Sequence, residues 1–183
     1  VDGARYDDPA LLELVERAMR GEQNAISDLI RTSARLAYPV AYGILQNRHD
    51  AEDAVSEAMY KVIKNLHRVE TSAAYRGWLT TLTSRTAIDL SRRRARRQAR
   101  EEVHEHVPET QAHDTDASDR LALREALAEL TPEHRAVLLL RERDGYDYKE
   151  ISVMLQLPLG TVKSRLAYAR KALEKQLEIP LNE

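Results

Sequence analysis

Apolar residues recur three and four positions apart along most of this chain, and nowhere does a run alternate strictly as a half-buried strand would. The pattern predicts helices throughout. Asp8 followed by Pro9 makes an N-cap and a first-turn proline, and Leu11, Leu12, Leu14, Val15 and Met19 carry a first helix to about residue 20. A second helical run covers about 23–44, with a bend expected at Pro39 because proline interrupts the backbone ladder. Asp50 reads as the cap of a third helix, to about residue 66, in which Ala54, Val55, Ala58, Val62 and Leu66 face inward while Glu52, Asp53 and Glu57 stay outside. A loop over 68–74 separates it from a long helix over 75–100. Farther on, 119–130 forms one helix, and Thr131 with Pro132 caps another that ends before Gly145. The fold class is all-α.

Residues 147–173, DYKEISVMLQLPLGTVKSRLAYARKAL, read as two short helices joined by a tight turn, a helix-turn-helix. Asp147 and Glu150 form a capping-box pattern, Ile151 and Leu155 give an apolar face, and Gln156, Leu157 and Pro158 break the first helix. In the second, Val162, Leu166, Ala169 and Leu173 make one buried stripe, leaving Thr161, Lys163, Ser164, Arg165, Tyr168 and Arg170 outward. Such a face can donate to phosphates and to base edges in a major groove. A solvated amphipathic helix closing a bundle is the alternative for those residues taken alone.

Charge divides the 183 residues further. Residues 101–118 hold six acids, no lysine or arginine and almost no large apolar side chain, so they read as a flexible acidic linker between two small helical domains, 1–100 and 119–183. His104, His106 and His113 fall in that linker, where a polar tract is a simpler reading than a metal site; no metal or cofactor is expected. The net charge of -2 gives no global basic signature, so a nucleic-acid surface has to be local. With no cysteine there is no disulfide or thiol chemistry, and with no long apolar run and a polar start, a soluble cytoplasmic protein without direct membrane insertion is expected.

The local basic surface is 91–100, where Arg92, Arg93, Arg94, Arg96, Arg97 and Arg100 crowd the end of the long helix. That is more cation than capping a helix dipole requires, and it suits a polyanion. Tyr75, Trp78 and Arg85 lie just upstream, and aromatics beside cations can hold unpaired bases, although a lone Trp in a helical domain is often core.

Three segments together resemble the bacterial extracytoplasmic-function sigma factors, the compact branch of the sigma-70 class: HDAEDAVSEAMYKVIKNL (49–66), YRGWLTTLTSRTAIDLSRRRARR (75–97) and ALAELTPEHRAVLLLRERDGYDYKEISVMLQLPLGTVKSRLAYARKAL (126–173). The resemblance implies a sigma region 2 domain over 1–100 and a region 4 domain over 119–183. Asp50, Glu52, Asp53 and Glu57 would dock core RNA polymerase through its beta-prime clamp, the beta subunit being the other core partner. Arg68, Thr71, Ser72, Tyr75, Arg76, Trp78, Arg85, Asp89, Arg92 and Arg93 would read and melt the minus-ten element of promoter DNA. Thr161, Lys163, Ser164, Arg165, Tyr168, Arg170 and Lys171 would meet the minus-thirty-five element. The linker would thread the polymerase cleft as an acidic mimic of RNA, and an anti-sigma factor, in some members membrane-bound, would hold the chain inactive. In the recognition helix Ala167 and Tyr168 stand where the family frequently has His-Arg. The resemblance implies a specificity subunit with no catalytic site. A helix-turn-helix regulator without polymerase docking is the alternative, and it would have no use for the acidic helix or the aromatic and arginine segment.

Overall fold

The computed structural model describes residues 8–100 and 117–177, and all regular structure among them is helical. The chain divides into two compact units between Arg92 and Arg93. The expected linker lies outside the described residues except at its end, where the fifth helix already begins at Ala117.

In the first unit, α1 (Pro9–Met19) starts where the Asp8 carboxylate accepts from the Ala10 amide at 3.0 Å. The next helix, α2 (Gln23–Leu45), continues through Pro39 and stops at Gln46 in the left-handed conformation. It packs along α3 (Arg48–Asn65) over a seam of small residues, Ala37 and Ala41 against Ala51, Ala54 and Ala58, all at most 1% exposed. With no phenylalanine in the chain, close backbone approach takes the place of bulky filling. Asn47, not Asp50, caps α3: its side chain accepts from the Asp50 amide at 2.9 Å, which puts Asp50 inside the first turn and 9% exposed. Two short 3-10 turns, Leu66–Arg68 and Ser72–Ala74, lead into α4 (Tyr75–Gln98).

The buried face of α4 is unusually polar, with Thr83, Ser84 and Thr86 all 0% exposed. Lys61 reaches Thr86 at 3.0 Å, but the hydroxyls of Thr83 and Ser84 have no partner among the described residues. A buried hydroxyl without a partner forfeits about 1–3 kcal/mol of solvation. Thr83→Val exchanges it for a methyl of nearly the same shape, so this unit is expected to gain about 1 kcal/mol, roughly 4–8 °C in thermal midpoint for a unit of this size. A lower midpoint in calorimetry would mean that the hydroxyl is satisfied after all.

In the second unit α8 (Leu159–Leu177) is the central element, packed by α5 (Ala117–Ala128), α6 (Pro132–Glu142) and α7 (Tyr148–Leu155). Its stripe of Val162, Leu166, Ala169 and Leu173 is at most 5% exposed and meets Val137, Leu140 and Ile151 in one core. Arg135 of α6 is also buried, at 5% exposure, with its guanidinium turned back on the end of α5, where it donates to the carbonyls of Leu127 at 2.9 Å, Ala128 at 3.4 Å and Leu130. The Leu127 carbonyl also accepts the Leu130 amide at 3.1 Å, and the guanidinium adds a cationic cap to this helix end.

Candidate functional sites

The helix-turn-helix is held by its own side chains. Asp147 accepts from the Glu150 amide at 2.8 Å while Glu150 accepts from the Asp147 amide at 2.7 Å, a reciprocal box that fixes the start of α7. At the turn, Gln156 takes φ 55°, and Ser152 grips Leu157 twice: its carbonyl accepts the Leu157 amide at 3.0 Å and its hydroxyl donates to the Leu157 carbonyl. Pro158 then offers its carbonyl to the amides of Thr161 and Val162, opening α8.

On α8 the structure leaves Lys163, Ser164, Tyr168 and Lys171 exposed and Thr161 and Arg165 half-exposed. Arg170 is different. It is committed to Glu142 of α6 by two hydrogen bonds, 2.7 and 3.0 Å, and that carboxylate raises its already high pKa. Its guanidinium braces α8 against α6 rather than standing open for phosphate. Tyr168 is 58% exposed, yet its ring stacks on His134 of α6 with centroids 4.5 Å apart and planes 28° apart. Sequence periodicity gave no hint of His134, because nothing in spacing alone brings α6 under the recognition helix.

In the first unit, the acidic positions of α3 do not form one equivalent set. Glu52 and Asp53 are exposed, the former 2.9 Å from Arg48 and the latter 3.9 Å from His49. Glu57 is only 31% exposed and bound to Lys61 at 2.8 Å, and Asp50 is buried, so the expectation that Asp50 is presented on the surface is overturned by Asn47 taking the cap position. Tyr60 and Ile63, 57% and 55% exposed, extend the outward stripe of Asp53 and Ser56 at helical spacing, and Lys64 lies over the Tyr60 ring at 4.5 Å. An apolar side chain one position beyond the inward Val62 was the available signal for Ile63.

Before α4, Arg68 and Thr71 are exposed; Thr71 caps the second 3-10 turn by accepting from Ala74 at 3.2 Å, and Ser72 donates to Glu16 of α1 at 3.0 Å. Tyr75 corrects the expectation placed on it. It is fully buried, its hydroxyl 2.6 Å from that of Ser33 on α2, and burial pushes its pKa up to about 12. Such a ring cannot receive a base. Trp78 is half-buried and tilted 41° to Tyr75 at 5.8 Å, leaving an edge at the surface. Trp78, Arg85, Asp89 and Arg92 then follow one another on one side of α4, with Arg76 exposed near its start; past the division between the units, Arg93, Arg96, Arg97 and Arg100 line a shallow cleft. Among the described residues no cluster of His, Asp and Glu suits a metal, and no helix is long and apolar enough to cross a membrane.

Family models match both units. Sigma-70 region 2 matches residues 29–97, and sigma-70 region 4 matches 120–173. The chain is 34% identical over 170 residues to the ECF RNA polymerase sigma factor SigE of Mycolicibacterium smegmatis, covering 86% of this chain and 64% of that protein. It is 28% identical to the RNA polymerase sigma-H factor of Pseudomonas aeruginosa, over 93% of this chain and 95% of the relative. Among solved structures it shares the fold of the sigma factor RpoE of Bartonella quintana in complex with the anti-sigma factor NepR, with TM-score 0.69 at 20% identity over 85% of this chain and 98% of that one. CnrH in complex with the cytosolic domain of CnrY gives a TM-score of 0.61 at 20% identity, over 92% and 97%. With regions 2 and 4 matched in order on two helical units, the chain belongs to the sigma-70 class of RNA polymerase sigma factors, in its extracytoplasmic-function branch.

Proposed function

We propose that the chain is a promoter-specificity subunit: it docks on core RNA polymerase through the first unit, reads and opens the minus-ten element with that same unit, and reads the minus-thirty-five element with the second. The observation that carries this is the pairing of two unlike surfaces in one chain. A helix-turn-helix with an outward Lys163, Ser164 and Arg165 suits duplex DNA, whereas the first unit offers an acidic and apolar face on α3 and an aromatic and arginine face on α4. A regulator acting by duplex binding alone has no use for the second pair. The chain is a specificity subunit, not an enzyme, and phosphodiester formation belongs to the polymerase. The exposed stripe of Glu52, Asp53, Tyr60 and Ile63 is also the surface on which an anti-sigma factor would compete with the polymerase.

Run-off transcription with purified core polymerase tests the reading. Promoter-directed transcripts that depend on this chain support it; duplex binding with no transcript on any template of the host genome returns the regulator reading. Arg165→Ala is expected to weaken duplex binding roughly tenfold or more, the loss of one good base or phosphate contact, while leaving core binding unchanged in a pull-down. Loss of both together would break the division of labour between the units.

A further inference from the structure

Tyr168 lies on the same side of α8 as Thr161 and Arg165, seven and three positions after them, so it belongs to the face proposed to enter the groove. A tyrosine on a free helix surface samples several rotamers. Here the ring stacks on His134 at 4.5 Å, which favours the rotamer that keeps the contact, and His134 is itself bonded to Thr131. The Thr131 hydroxyl lies 2.8 Å from His134 Nδ1, and its oxygen also accepts the backbone amide of His134 at 3.4 Å, so the hydroxyl hydrogen is available to Nδ1. With that hydroxyl donating, the ring proton sits on Nε2 and the imidazole is neutral. Partial burial and the Arg165 guanidinium hold its pKa below the ordinary histidine value, against the opposing pull of Glu133. A neutral ring stacks on tyrosine without adding a cation to the face.

We infer that His134 is a positioning residue for promoter recognition: anchored by Thr131, it fixes Tyr168 as a rigid apolar wall on the recognition helix, and that wall selects thymine through its C5-methyl group at one position of the upstream element. The inference rests on the proposed duplex-reading role of α8. Its physical basis is that a pre-ordered aromatic loses less rotamer entropy on binding, and that the face of the ring suits apolar contact with the thymine methyl.

Holoenzyme assembled from the full chain and core polymerase, presented with duplexes randomised across the upstream element, gives the base preference at each position. Tyr168→Ala is expected to reduce the thymine preference at one position about fivefold to tenfold, one lost contact by the usual scale of base discrimination. His134→Ala is expected to reduce it at that same position by at least threefold, with the midpoint of thermal unfolding and the preferences set by Lys163, Ser164 and Arg165 unchanged. His134→Phe keeps the stack without the Thr131 hydrogen bond and is expected to restore most of the preference. An unchanged profile in His134→Ala, a change at a different position from Tyr168→Ala, or no rescue by Phe overturns the inference. The Arg165→Ala holoenzyme separates the two levels: if it and the unaltered chain select the same sequences or none at all, the duplex-reading role of α8 itself fails, and the role of His134 falls with it.

Discussion

Arg135→Ala is expected to destabilise the second unit by about 3 kcal/mol, enough to move its thermal midpoint down by roughly 12–24 °C for a unit of this size. Two terms oppose each other at this residue. Burial penalises the guanidinium, which is why its pKa falls to about 10 despite the nearby Glu133. Removing a buried charge can therefore relieve a protein, and replacing an ion pair by apolar residues is often neutral. Here the partners are not removable side chains but the backbone carbonyls of Leu127, Ala128 and Leu130, which remain when the arginine goes. One guanidinium nitrogen with two hydrogens serves all three carbonyls, and Leu127 keeps the Leu130 amide; at about 1.5–3 kcal/mol for each bond to a charged donor, the two lost bonds still outweigh the relief. Arg135→Met separates the terms: it keeps the packing of the aliphatic stem, loses the bonds, and is expected to recover less than half of the lost stability. Thermal unfolding followed by circular dichroism reads both variants, and a methionine variant as stable as the parent would show that the carbonyls find water. Because the first unit holds none of these groups, its transition is expected to stay where it is.

This cap also shows where the sequence was legible and where it was not. Helix existence and order were readable because the apolar stripes are strongly periodic, and the Thr131 with Pro132 and Asp147 with Glu150 starts were readable because capping is local chemistry within four residues. The cap of α3 was misplaced by three residues, because Asn47 and Asp50 are both good caps and only burial of Asp50 decides between them. Pairings between helices left no local trace. Arg170 with Glu142 spans 28 residues, Ser33 with Tyr75 spans 42, and in each case the partner converts a residue read as outward and functional into a structural one. Cations and aromatics are ambiguous in sequence for this physical reason: the same side chain that suits a phosphate or a base also suits a carboxylate or a core, and the choice lies in tertiary packing. On the recognition helix the inward stripe was legible in full, Val162, Leu166, Ala169 and Leu173 all being buried, whereas the outward reading fails at Arg170.

Tyr75 and Trp78 provide the second large effect and separate core from contact within one turn of α4. Tyr75→Ala is expected to cost about 3–5 kcal/mol, since the ring is fully buried and its loss leaves a cavity, a large part of the total stability of a small unit. Tyr75→Phe removes only the bond to Ser33 and is expected to cost about 1 kcal/mol. Ser33→Ala should cost a similar amount, and the double variant little more than either, because the two hydroxyls serve each other. The tyrosine also carries a pH signature. Its folded pKa of about 12 lies above the ordinary value of 10, so above pH 10 the unfolded chain ionises first and stability falls as pH rises; Tyr75→Phe is expected to remove that component of the alkaline loss. Trp78→Ala should differ in kind. Part of its surface is already in water, so the stability loss is expected to be smaller, while promoter opening, read by permanganate reactivity of unpaired thymines, is expected to fall more than closed-complex binding. Tyr75→Phe supplies the control, since a hydroxyl enclosed between α2 and α4 never meets DNA and its loss is expected to leave opening intact at temperatures where the unit stays folded. Should Tyr75→Phe lose opening with an unchanged midpoint, the enclosed hydroxyl would have to move outward during melting and the division between core and contact would lie one turn earlier than Trp78.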